Sequence, residues 1–190
     1  MQAVIPESRF KSQYVHFNYR TDNTVVSGAG FYRVSYSNPF STLVGVPIML
    51  EVKLDGHLLD AETGGAGQGG AAKVVNQNDD FTKFRDECCE VCNKKVNDIL
   101  TILFDVWDSY MKLSKGRPRN YGHYVSQVRH AVSTLFGYQP PVKGGVYNFI
   151  FKCSGAFDTE AECGMNYRIL PISREELNNN LHHTCEDQVQ

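Results

Sequence analysis

NDDFTKFRDECCEVCNKKVNDILTILFDVWDSYMKLSK, residues 78–115, holds one consistent period longer than any other stretch of the chain. Phe81, Phe84, Cys88, Cys92, Val96, Ile99, Leu103, Val106, Tyr110 and Leu113 recur at gaps of three and four, the spacing of one helical face. Asn78, Asp79 and Asp80 supply capping side chains and negative charge at the start. Lys112 and Lys115 fall in the last turn, Gly116 suits the position after it, and Pro118 blocks continuation. The pattern predicts one long helix over 78–115, about 55 Å from end to end.

Inside that helix DECCEVC, residues 86–92, holds three of the six cysteines. Cys88 and Cys92 lie on the apolar stripe between Phe84 and Val96, where a free cysteine packs as a small hydrophobe. Cys89 is about 100° off the stripe and is expected to be more exposed. A zinc site needs four sulfur or imidazole donors. Cys89 and Cys92 offer half a set, and His182, His183 and Cys185 would have to complete it. Structural zinc pairs sit on tight turns, whereas this Cys-x-x-Cys lies mid-helix, so no metal is expected. Thioredoxin-type chemistry wants the first thiol at a helix N-terminus, and Cys89 is about three turns in. Cys153 and Cys163 flank a loop and are read as free thiols of a reducing compartment.

Upstream the chain reads as strands. Val15, Phe17 and Tyr19 alternate with polar neighbours, and RTDN (20–23) reads as a turn. Val25 to Tyr36 is rich in β-branched and aromatic residues, with Gly28 and Gly30 marking an irregularity. Ile48, Leu50, Val52 and Leu54 share one face opposite Glu51 and Lys53, and Asp55-Gly56 is a two-residue hairpin signal. With no helix between them, these strands are expected to pair antiparallel. TGGAGQGGAA (63–72) contains G-x-G-x-x-G at Gly65, Gly67 and Gly70. The helix it should open begins some ten residues later, so it is read as a flexible loop and no dinucleotide cofactor is expected.

Downstream, Asn120 is the expected cap of a second helix running to Phe136, with Tyr121, Val125, Val128, Val132 and Leu135 as its stripe and Gly137 as its stop. The short connection makes it an antiparallel neighbour of the first helix. GGVYNFIFKCSG (144–155) is apolar on both sides, as a central strand is, and residues 166–170 are its expected hairpin partner. Ser173 and Glu176 form a capping box. The tail 182–190 carries no pattern.

These elements predict a single α+β domain over 1–190, an antiparallel sheet covered by the long helix and an antiparallel partner helix. Its 42% hydrophobic and 21% charged residues fit a folded domain that needs no metal or disulfide. The first residues lack the charged and apolar regions of a secretory signal, and no apolar run approaches the ~20 residues that cross a bilayer. A soluble cytoplasmic protein is expected.

Function is less legible. The chain has no G-x-S-x-G, no H-E-x-x-H and no P-loop lysine motif, and His16, His57, His123 and His130 are scattered. The net charge of −2 conceals a segment from Asp108 to Asp158 with no acid between them. Within it, residues 112–130 interleave basic side chains with Tyr121, His123 and Tyr124. Arg117 and Arg119 flank the stiff Pro118, so their planar forks form a candidate anion clamp extended by Lys115, His123 and Arg129. The expectation is a non-enzymatic module that binds a protein or an anionic ligand there, nucleic acid not being the favoured one. A small enzyme with a composite site is the alternative.

Overall fold

The axis of the fold is β8 (Val146–Asp158), a strand of 13 residues in the computed structural model, which describes residues 3–23, 28–56, 77–111 and 118–177. Within those residues nine strands form one mixed, largely antiparallel sheet. The others are β1 (Ile5–Pro6), β2 (Val15–Phe17), β3 (Thr21–Asp22), β4 (Gly30–Ser37), β5 (Thr42–Val44), β6 (Val46–Lys53), β7 (Arg119–Asn120) and β9 (Cys163–Ile172). Two long α-helices accompany them, α1 (Gln77–Tyr110) and α2 (Tyr124–Tyr138), and residues 174–177 are also helical.

Along one edge β8 pairs with β9 from Asn148 to Asp158. Along the other it changes partner: Val146 to Cys153 face β6, and Gly155 to Asp158 face β4. The change falls at a bulge between Cys153 and Gly155 that leaves Ser154 without a counterpart on β9. An inserted residue reverses the facing of everything after it. Before it Tyr147, Phe149, Phe151 and Cys153 point to the core; beyond it Ala156 does. Two glycines permit the crowding. Gly45 has φ +81° and a Cβ there would lie 2.7 Å from the Cys153 carbonyl; a Cβ on Gly155 would collide with the Tyr32 carbonyl.

The inner face is continuous. Ile48, Leu50, Val52 and Leu54 are fully buried, as their alternation predicted, and with Val46 they join Tyr32, Val34 and Tyr36 of β4. Trp107 of α1 meets this layer, its ring edge-on to Tyr32 at 4.4 Å and to Phe17 at 5.0 Å. Such aromatic pairs contribute about 0.5–1.5 kcal/mol each beyond area burial. The helices run antiparallel: Phe81 near the start of α1 touches Phe136 near the end of α2, while Phe104 meets Tyr121 at the other end.

Several boundaries differ from the sequence reading. The long helix stops at Tyr110, not Lys115, and its last turn carries no basic residue. The second helix begins at Tyr124, not Asn120, and runs through Gly137. Asn120 lies in β7, parallel to β9 at Gly164, and its Oδ1 accepts the Gly122 N–H at 2.8 Å, so its side chain closes a turn. Val125 and Tyr19 are exposed. RTDN holds β3, paired with β4, in place of a free turn. The second strand of the Asp55-Gly56 hairpin would fall on residues 57 onward, which lie outside the described residues; β6 pairs with β8 along one side and with the parallel β1 at Ile48 and Met49. The parallel β1–β6 and β7–β9 pairs depart from the purely antiparallel expectation.

Glu87 is the residue the helical stripe omits. It is 1% exposed, and its Oε1 accepts the Asp55 N–H at 2.8 Å and the Gly56 N–H at 3.0 Å. The DECCEVC segment thereby latches the exit of β6 to α1. A buried carboxylate costs free energy unless hydrogen bonded, and two backbone donors offset that cost.

Candidate functional site

The cysteines belong to the core. Cys88 and Cys92 are fully buried, Cys89 is half-buried, and all five described cysteines are free. Burial, with neighbouring thiols adding to it, pushes the Cys88 thiol well above its usual range, and burial pushes that of Cys92 up to about 12. Burial raises Cys89 as well, against the pull of Arg129. Cys153 and Cys163 lie at separate rungs of the β8–β9 ladder, opposite Tyr167 and Asp158. Among the described residues no group of three or more His, Cys, Asp or Glu side chains is placed to hold a metal ion. His182, His183, Cys185 and the glycine stretch 63–72 lie outside them.

Of the five residues of the expected anion clamp, Arg119, His123 and Arg129 fall within the described residues. Lys115 and Arg117 lie outside the described residues. Arg119 is engaged within the fold: its Nη2 donates to Asp108 at 2.6 Å and to Asp105 at 2.9 Å, and its guanidinium sits 5.4 Å from the Phe104 ring centre. These hydrogen bonds, that to Asp108 foremost, raise its pKa. Asp105 and Asp108 precede it in sequence, and one helical turn brings both carboxylates to the returning chain. His123 and Arg129 do come together, bordering a shallow hollow of about 490 Å³ with Gly122 and Ser126 on the first turns of α2.

A second basic cluster, marked by no local sequence pattern, lies on the face of the sheet turned away from the core. Lys152 of β8 stands directly opposite Arg168 of β9. One rung beyond the bulge, Arg33 of β4 aligns with Gly155 and Asn166. Arg33 and Arg168 are exposed, and neither guanidinium makes an ion pair among the described residues. Strand spacing places their Cα atoms roughly 12 Å apart, with β8 between them.

Next to these cations the same face carries two aromatic rings. Thr21, Phe31, Phe157 and Gly164 form one rung across β3, β4, β8 and β9. The Phe31 Cζ lies 2.7 Å from where a Cβ on Gly155 would stand, and the Phe157 ring occupies the place of a Cβ on Gly164. Each ring therefore leans over a glycine that has no side chain to hold it off the sheet. Both line an open groove of about 830 Å³ with Arg33, Asn166 and, at its far end, Asp22 and Glu162. Those acids are held: Asp22 pairs with Arg20 at 3.2 Å, and Glu162 accepts from Asn120 Nδ2 at 2.8 Å.

Comparison of the chain with protein-family models, with curated proteins and with solved structures finds no match. Among the described residues no helix is long and apolar enough to cross a membrane.

Proposed function

We propose that this protein is a binding module whose outer sheet face holds an anionic ligand. The observation that carries the reading is the pair of exposed arginines, Arg33 and Arg168, set roughly 12 Å apart across β8 and neither in an ion pair among the described residues. Arginine offers a planar fork matched to phosphate or carboxylate, and two such forks on one exposed face suit an anion that spans them. Among the described residues neither helix packs on this face, which suits a ligand there. Five free thiols fit work in the reducing cytoplasm.

The test is calorimetric titration with inorganic pyrophosphate at low ionic strength. Binding that weakens steeply with salt and is lost in the Arg33→Ala/Arg168→Ala double variant, with a melting temperature no lower than that of the wild type, supports the reading. Equal binding by that variant and the wild type refutes it.

A second reading keeps the anion site between the helices, and the shared hollow at His123 and Arg129 favours it. There His123→Ala/Arg129→Ala, and not the sheet variants, abolishes pyrophosphate binding. Arg119 enters neither reading, because Asp105 and Asp108 occupy its fork.

A further inference from the structure

We infer that the anion this face takes is a single-stranded nucleic acid, with phosphates at the arginines and bases on the two phenylalanines. The inference rests on the anion-binding reading above and adds the chemical class of the ligand. Phosphate alone explains Arg33 and Arg168 but gives no role to Phe31 and Phe157, which line the groove next to them. An aromatic ring beside a basic groove is how a sheet face holds an unpaired base: the base stacks and the cation takes the backbone.

Three features support the stacking half. Phe31 and Phe157 stand opposite each other on β4 and β8 and both line the groove, so the face offers two separate rings on one rung. Gly155 and Gly164 let both rings lie low over the strands, and a methyl group at either position would displace the ring. Asn166, on the same rung as Arg33 and Gly155, brings to the groove an amide able to pair with a base edge.

The charge distribution selects among anions. Asp22 and Glu162 close one end of the groove with negative charge, so a polyanion is directed from the ring pair toward Arg33, Lys152 and Arg168. A duplex hides its base faces and offers phosphates alone. An acidic peptide satisfies the arginines but leaves the rings without a stacking partner.

The experiment is fluorescence anisotropy of a short labelled oligothymidylate with the full chain, using inorganic polyphosphate, polyglutamate and a duplex as competitors. The expected result is salt-sensitive binding that Phe31→Leu and Phe157→Leu each weaken about tenfold. Inhibition by polyphosphate is the same in those variants as in the wild type. Arg33→Ala/Arg168→Ala weakens both ligands. Oligothymidylate binding untouched by the leucine variants, or polyglutamate or duplex competing as well as the single strand, overturns the inference while leaving the anion site in place. Binding of neither oligothymidylate nor polyphosphate removes both. Emission from Trp107, the one tryptophan and fully buried, reports whether a variant is folded. If a leucine variant is not, photocross-linking of a bromouracil oligonucleotide to the wild type decides. Adducts at Phe31 or Phe157 are expected, and adducts confined to other residues overturn the inference.

Discussion

Lys152 and Arg168 face each other across the β8–β9 ladder, two cations on one rung in the middle of a sheet. Cross-strand charge pairs contribute roughly 0.2–1 kcal/mol, with a sign set by the charges. Arg168→Glu turns repulsion into attraction. At low salt it should raise the melting temperature of the unliganded protein, an advantage that fades as salt screens the pair. The same variant should lose pyrophosphate binding. Gaining stability while losing binding is the mark of a residue retained for a ligand.

Arg119 should behave in the opposite way. Its guanidinium ties β7 to Asp105 and Asp108 of α1 and rests near Phe104. Arg119→Ala is expected to cost about 1 kcal/mol, the scale of a partly exposed ion-pair network with a cation–π contact. Hydrogen exchange at Arg119–Asn120 and in the last turns of α1 should speed up, with anion affinity unchanged.

The Glu87 latch predicts a larger loss. Removing the carboxylate strands two backbone donors at Asp55 and Gly56. Hydrogen bonds to a charged acceptor contribute roughly 1.5–3 kcal/mol. Glu87→Ala should therefore lower the free energy of unfolding in urea by about 3 kcal/mol or more. Glu87→Gln, which keeps an acceptor oxygen, should lose about half as much. Equal effects of the two would show that shape, not hydrogen bonding, is what Glu87 supplies.

Buried thiols set the alkaline limit of stability. Cys92 and Cys153 are pushed up to about 12 by burial, while an ordinary thiol ionises near pH 9.0. The folded protein thus keeps protons that the unfolded chain releases above pH 9.0. Stability from this source is complete below that pH and falls as pH rises toward 12. The slope is at most ~1.4 kcal/mol per pH unit for each thiol. Urea unfolding across this window should show a decline that Cys153→Ala reduces. Under native conditions at pH 8, alkylation followed by mass spectrometry should modify Cys89 before Cys88 or Cys92.

The parts of the fold legible in the sequence are those set by local repetition. The stripe through Phe84, Cys88, Cys92 and Val96, the alternation of β6, and the Ser173–Glu176 capping box, closed at 2.9 and 3.2 Å, depend on neighbours a few residues apart. Glu87 escaped because a carboxylate beside an apolar stripe signals solvent until its partners, 31 and 32 residues away, are known. Asn120 was misread as a cap because the hydrogen bonding that makes a cap also makes a turn, and β9 supplied the competing partner. The outer face was invisible for a different reason. Arg33, Lys152 and Arg168 come from three strands, and the bulge at Ser154 decides which of their neighbours point outward with them. No periodicity in one sequence encodes that flip.

Amide chemical shifts of the isotope-labelled protein, followed by NMR as inorganic pyrophosphate is added at low salt, test the central claim most directly. The outer-face account predicts saturable shifts centred on Arg33, Gly155, Asn166 and Arg168, absent from the Arg33→Ala/Arg168→Ala variant. Shifts centred instead on Gly122 to Arg129, or no saturable shifts at all, would contradict it.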